Sequence, residues 1–375
     1  MKNKKPLGLY IHIPFCKSKC DYCDFCSMVP NNRGILEHYT DALLLQMEDY
    51  SRRVRPYLID TVYIGGGTPT FLDEKRLSRI IDGIYRNFKV AKKAEFTVEA
   101  NPATCDIKYL RRIRRLGVNR LSMGLQSAND NELRALGRIH TFREFEESYD
   151  LARDAGFDNI SIDLMYGIPE QTVKSFENTL RRAVELSPEH ISAYGLKIED
   201  GTVFGKIRES LTLPDEDDEL RMYLLCKSIL KENGYERYEI SNFAKEGRAS
   251  RHNLRYWRLD DYIGFGVAAH SLVDGERFGN SRDIDAFLRG EDIVEERACI
   301  SKEERLREYV MLGLRLESGI SADEYRALSG REMCEDMQDM KRFIDAGFLL
   351  ERDGRICFSD KGFFVSNAIL SELLF

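Results

Sequence analysis

The chain has 375 residues, 43% of them apolar and 32% charged, with a formal net charge of −7. This is the make-up of a globular protein with room for two domains, and it excludes collagenous, disordered and broadly nucleic-acid-binding classes. No apolar run approaches a bilayer span, and the opening MKNKKPLGLY lacks the apolar stretch of a secretory signal.

The first predicted strand, residues 7–13, runs into IHIPFCKSKCDYCDFCSMVP, where four of the nine cysteines stand close together. Cys16, Cys20 and Cys23 are spaced C-x3-C-x2-C. Three thiolates at that spacing can hold three corners of a cubane iron–sulfur cluster and leave the fourth iron open to a chelating small molecule. Cys26 offers an alternative, a four-ligand zinc site, but zinc sites usually use paired C-x2-C knuckles, and Cys26 is not counted as a ligand. The other five, Cys105, Cys226, Cys299, Cys334 and Cys357, are scattered singly. An odd total in a long chain points to reduced thiols and a cytoplasmic setting.

Further strands are predicted at 61–64, 95–100, 120–126, 159–166 and 190–198. Amphipathic helices at 35–54, 73–88, 107–116, 142–155 and 173–186 fall between them, and one at 217–233 follows. Strand–helix alternation implies a parallel sheet with right-handed crossovers, here an α/β fold with an incomplete (β/α)6 barrel. In barrels the reacting groups gather at the C-terminal ends of the strands. Here those ends carry the cysteine loop, then Gly65-Gly66-Gly67-Thr68-Pro69-Thr70, Glu99, Gln126, Asp163, and finally Tyr194 with Lys197. The glycine triplet lets backbone approach a ligand closely. Helix capping or a buried ion pair is the plainer use of Glu99 and Asp163, and their strand-end positions favour ligand contact. The basic run at 111–115 reads as an exposed helix face, and the acidic run at 215–219 as a helix start.

From residue 244 onward the rhythm changes, so the division expected is 1–243 and 244–375. Helices are predicted at 303–316, 322–328 and 333–346, then a hairpin at 347–358 turning at Asp353-Gly354, then a helix at 361–374. This is a smaller, mainly helical, winged-helix-like module. The acidic balance and the lack of a basic recognition face argue against nucleic acid, and the module is expected to cover the barrel or dock a partner. At its start stands His252-Asn253-Leu254-Arg255-Tyr256-Trp257, which holds the only tryptophan. These residue types can serve a porphyrin: an imidazole for iron, aromatic faces for the ring, and Arg251, Arg255 and Arg258 for propionates. They can equally pack on the barrel. His270 either faces a ligand or caps a turn, and His12 reads as structural.

The segments LYIHIPFC, GGGTPT, GVNRLSMGLQS, LGRIH, IDLMYGIPEQT and YIGFG resemble the oxygen-independent coproporphyrinogen III oxidase family of radical S-adenosylmethionine (radical SAM) proteins over almost the whole chain. The cysteine spacing, with Tyr22 just before the third thiol, is typical of radical SAM proteins. The resemblance implies a 4Fe–4S cluster on Cys16, Cys20 and Cys23. It also implies S-adenosylmethionine contacted by Tyr10, Tyr22, Gly66, Gly67, Thr68, Glu99, Gln126, Arg138 and Asp163. Glu99 suits a cationic amino group or ribose hydroxyls, Arg138 a carboxylate, and Asp163 ribose.

Two subfamilies divide this family. The decarboxylating enzymes carry an N-terminal extension and a further cysteine where Phe25 stands; here fifteen residues precede Cys16. HNxxYW marks the heme chaperone HemW subfamily, although Ala268 and Ser271 stand where that subfamily usually has glycine. The resemblance therefore implies heme held by His252, Tyr256 and Trp257 and passed to an acceptor protein, membrane-associated or not. It also implies a reductant such as flavodoxin or ferredoxin. Oxidative decarboxylation of coproporphyrinogen III, or another radical reaction on a tetrapyrrole, is the enzymatic alternative.

Overall fold

The computed structural model describes residues 4–333 and 338–374. Six parallel strands stand side by side in chain order: β1 (Lys5–Ile13), β2 (Tyr57–Gly66), β3 (Val90–Ala100), β4 (Arg120–Gln126), β5 (Ile160–Tyr166) and β6 (His190–Gly195). Strand alternation sorts the residues of β1. Leu7, Leu9, Ile11 and Ile13 share one face and join Leu36, Tyr39, Leu43 and Met47 of the helix Gly34–Val54 in the core. Gly8, Tyr10 and His12 share the other face, inside the barrel. The crossover helices start where short polar side chains cap them: Asp73, Asp106, Thr141 and Thr172 each accept a hydrogen bond from the backbone three residues on.

The incomplete (β/α)6 barrel expected from the sequence is therefore present, and its sheet continues at both edges. β7 (Glu236–Glu239) and β8 (Asn242–Ala244) add antiparallel strands beside β6. β9 (Tyr262–Phe265) lies parallel to β1, and β10 (His270–Val273), β11 (Glu276–Asn280) and β12 (Val294–Cys299) follow it antiparallel. The result is one open sheet of twelve strands with edges at β12 and β7. The expected division at 243/244 falls inside β8, and the main sheet runs on to Cys299. β6 ends at Gly195, so Lys197 lies beyond the strand, exposed and paired with Glu199 at 2.5 Å.

A second core forms around Val310, Leu314, Ile320, Tyr325, Leu349, Phe358 and Phe363. Its small sheet has the order β13 (Ile320–Ser321), β15 (Arg355–Phe358), β14 (Leu349–Arg352). The hairpin turn is at Asp353-Gly354, both with positive φ, as a tight turn of the primed type requires. The helix expected at 361–374 is two helices, Asp360–Phe364 and Ser366–Leu374, separated at Val365. Of the helix expected at 333–346, Gln338–Asp345 is observed; Cys334 lies outside the described residues.

Arg237 on β7 joins the two cores. Its side chain is 2% exposed and donates to Glu317 at 2.6 Å, Asp360 at 2.9 Å and the Tyr223 hydroxyl at 2.8 Å. The guanidinium also lies 4.0 Å from the Phe363 ring centroid. Among the described residues no helix is long and apolar enough to cross a membrane. Arg237→Ala is expected to lower stability by about 2–3 kcal/mol, below the cost of stranding a fully buried charge because both carboxylates keep some solvent. The urea midpoint measures this.

Candidate functional site

The cysteine loop leaves β1 and is closed at its base by backbone pairs, Cys16 N–H to Met28 O at 2.9 Å and Met28 N–H to Pro14 O at 2.7 Å. The glycine turn after β2 is sewn to it. Gly67 N–H donates to Ile13 O and Thr68 N–H to Phe15 O, each at 2.8 Å. Side chains have no room in this seam. A Cβ on Gly67 would lie 2.8 Å from Phe15 O and 2.9 Å from Cys16 Sγ. Gly66 has φ +114°, and a Cβ there would lie 2.6 Å from the His12 ring. His12 Nε2–H donates to Cys26 O at 2.7 Å, which leaves Nδ1 to accept from the Tyr10 hydroxyl at 2.9 Å. Burial holds this imidazole neutral, its pKa below the usual value.

Above the strand ends lies a cavity of about 140 Å³. Cys16, Cys20 and Cys23 line it, together with Tyr22, Gly66, Gly67, Thr68, Glu99, Gln126, Arg138 and Asp163. The fold thus brings together every residue named from the sequence for the cluster and S-adenosylmethionine, except Tyr10. Gln126 sits at φ +71°, a conformation uncommon for a side-chain-bearing residue, and packs over Gly124. Asn101 and Ser122 were not singled out from the sequence. Asn101 donates to Thr68 Oγ1 at 2.7 Å and accepts from Arg138 Nη2 at 3.1 Å. Arg138 Nη1 also reaches Cys20 Sγ at 3.6 Å. Ser122 Oγ lies 3.3 Å from Asp163. The signal for Asn101 was its place at the end of β3 beside Glu99, whereas Ser122 lies inside β4, where it pairs in register with Glu99.

Glu99 accepts from Tyr63 at 2.7 Å and from Gly66 N–H at 3.0 Å. Burial still raises its pKa to about 7, with the neighbouring Asp163 adding to the shift. Burial raises Asp163 as well, against hydrogen bonds from Ser192 and Ser122 and the charge of Arg120. Two proton-hungry carboxyls thus face a space ready for a cation.

A second cavity, of about 330 Å³, lies beside the cysteine loop. Tyr10, His12, Cys26, Tyr256, Tyr262, His270 and Arg282 line it, and His270 is exposed. Phe25, 68% exposed, lines both cavities.

The three residues named for heme do not share a site. They lie on a helix, Arg251–Trp257, capped by Ser250. His252 is fully buried; its Nδ1 pairs with Thr61 Oγ1 at 2.9 Å and its Nε2 with the Tyr256 hydroxyl at 2.8 Å. It stacks on Tyr63 at 5.3 Å, and burial, with Arg255 nearby, lowers its pKa to about 3. The expectation that His252 presents a nitrogen to iron is therefore corrected, because both nitrogens are engaged. Arg255 is also committed, to Asp60, Thr61 and Asp261 O, and Arg251 to Asp60 and Lys93 O. Tyr256 lines the second cavity, whereas Trp257 and Arg258 line a third, against the C-terminal module.

An open parallel barrel whose cysteine loop is sewn to a glycine turn defines a radical SAM protein. The chain matches the Radical SAM superfamily over residues 10–183 and the HemN C-terminal domain over residues 300–365. It is 35% identical to the heme chaperone HemW of Bacillus subtilis (strain 168), over 97% of this chain and 98% of that one. It is 36% identical to the heme chaperone HemW of Escherichia coli (strain K12), over 92% of each chain. The solved coproporphyrinogen III oxidase (HemN) of Escherichia coli, a radical SAM enzyme, shares the fold with a TM-score of 0.88 at 24% identity, over 99% of this chain and 90% of that one. The chain belongs to the heme chaperone HemW family within the radical SAM superfamily.

Membership brings a 4Fe–4S cluster and S-adenosylmethionine. The residues present fit both: three free thiols line one cavity, glycines leave it open, and carboxyls and Arg138 face into it. Glu99 gives a test of its own in the ligand-free protein. Its folded pKa, about 7, lies above the unfolded value, so its penalty grows as pH rises from the unfolded value to about 7 and is complete above that. Glu99→Gln is expected to raise the melting temperature at pH 8 and to leave it nearly unchanged at pH 4; thermal scans at the two pH values measure it.

Proposed function

We propose that this chain binds heme and hands it to an acceptor protein in the reducing cytoplasm, using a radical SAM barrel that holds a 4Fe–4S cluster and S-adenosylmethionine. The observation that carries the reading is its full-length kinship with heme chaperones. Cys16, Cys20 and Cys23 hold the cluster. When bound, the cluster supplies a one-electron centre whose open iron a chelating ligand can occupy. Glu99 and Asp163 take the cationic and hydroxyl groups of S-adenosylmethionine, Arg138 its carboxylate, and Tyr22, Gly66, Gly67, Thr68 and Gln126 shape the pocket.

For heme, the cavity beside the cysteine loop supports the reading best. Tyr10, Tyr256, Tyr262 and Phe25 give aromatic surface, Arg282 a partner for a propionate, and His270 an exposed imidazole for iron. His252 acts behind this cavity by holding the Tyr256 hydroxyl. A flavodoxin or ferredoxin is the class of reductant, and the acceptor is a heme protein that is membrane-associated or soluble.

The cluster is tested by anaerobic reconstitution followed by iron and sulfide analysis. Cys16→Ala, Cys20→Ala and Cys23→Ala are each expected to lose the cluster, and Cys26→Ala to keep it. Complete iron loss in Cys26→Ala would overturn the three-ligand assignment.

Heme binding is tested by absorbance titration. His270→Ala is expected to shift the Soret band and weaken binding about tenfold or more, the scale of one lost charge-assisted or metal contact. His252→Ala is expected to bind more weakly with an unshifted Soret band. Under reducing conditions with S-adenosylmethionine, the wild-type protein is expected to leave coproporphyrinogen III unconverted. Enzymatic loss of two propionate carboxyls would replace the chaperone reading with the oxidase.

A further inference from the structure

The largest of the cavities described here, about 610 Å³, lies between the end of the HNxxYW helix and the C-terminal module. Trp257 and Arg258 contribute one wall, and Arg305, Tyr309, Glu324 and Arg355 the other. The chain's only tryptophan thus faces a space shared by both units.

The walls of this cavity are rich in arginine. Arg258, Arg305 and Arg355 form no ion pair among the described residues. Arg355 is held in place by carbonyls, donating to Ser318 O at 2.7 Å and Gly319 O at 2.9 Å, which fixes its position without neutralising it. Glu324 accepts from the Tyr309 hydroxyl at 2.7 Å rather than from these arginines, and that hydroxyl accepts from Ser321 N–H at 2.8 Å. Asp260 is the cavity's other carboxylate.

Three guanidinium groups that form no ion pair among the described residues, set around an indole and an apolar floor, suit a flat, apolar-faced ligand with two carboxylates on one edge. We propose that this cavity is a second tetrapyrrole site, separate from the one beside the cysteine loop, which binds through propionates and ring stacking and needs no bond to iron. The choice of a tetrapyrrole among flat dianions rests on the heme reading above. Among the described residues no histidine or cysteine lines the cavity, and the Tyr309 hydroxyl is engaged by Glu324 and Ser321, so an iron-free porphyrin should occupy it as well as heme does. A ligand there would touch both units at once and hold the module against the barrel.

The test is a footprint on the full-length protein with iron-free protoporphyrin IX as the probe. Phenylglyoxal modification of each arginine is followed by mass spectrometry. With porphyrin at ten times its Kd, Arg258 and Arg305 are expected to react about tenfold more slowly, as occupancy dictates. Arg143, 86% exposed on a distant helix, should react at an unchanged rate. Arg258→Glu combined with Arg305→Glu is expected to lower the saturating stoichiometry by one porphyrin per chain. Trp257→Phe, which keeps an aromatic wall, should retain the footprint at lower affinity. Unchanged reactivity of Arg258 and Arg305 under porphyrin that protects Arg282 would overturn this site and leave the first intact. Protection of Arg258 and Arg305 with Arg282 still reactive would sustain it and remove heme from the cavity beside the cysteine loop.

Discussion

The seam between the cysteine loop and the glycine turn is the constraint on which the rest of the site depends. Two backbone hydrogen bonds, from Gly67 to Ile13 and from Thr68 to Phe15, bring the end of β2 against the start of the loop. They form only because Gly66 and Gly67 carry no side chain where a Cβ would strike His12, Phe15 and Cys16 Sγ. The same approach puts Thr68 Oγ1 3.5 Å from Cys16 Sγ and Glu99 under the Gly66 amide. One loop's thiols and the next strands' polar groups therefore share a cavity, with no long side chain needed to span the gap.

The HNxxYW helix shows how helical geometry divides one short motif among three tasks. His252 and Tyr256 are one turn apart and meet at 2.8 Å, as residues four apart on a helix do. Trp257 is one residue, about 100°, further round, and faces another space altogether. His252 and Arg255 plug the barrel interior against Thr61, while the Arg251 and His252 amides are capped by Glu95, a residue of β3. A motif that reads as a single ligand set is, in the fold, a plug with one aromatic on each of two cavities.

This explains what the sequence disclosed and what it did not. The strand ends were legible because a parallel barrel sends them all to one rim, and strand periodicity fixes where each ends. Glu99 and Gln126 could be named on that ground, whereas Asp163 stands in the middle of β5. The role of His252 was hidden, since type and spacing do not reveal whether an imidazole meets solvent or Thr61 and Tyr256. Strands β7, β8 and β12 escaped notice for a different reason. β12, Val294–Cys299, is exposed along most of its length, and β7 and β8 are only four and three residues long, so none carries an apolar alternation to read.

Arg120 links the rim to the plug. It is 1% exposed, inside the barrel, and its Nε has no hydrogen-bond partner among the described residues. Its charge lowers the pKa of both Glu99 and Asp163 above it and of His190 and His252 around it. Burial alone would push the two carboxyls further from ionisation, and the guanidinium partly opposes that. The same charge helps keep His252 neutral, and a neutral imidazole can accept the Tyr256 hydroxyl proton, which an imidazolium cannot. Burial sets these states in the main, and the same buried cation tilts both, easing ionisation of the rim carboxyls and disfavouring a charge on the histidine that holds Tyr256.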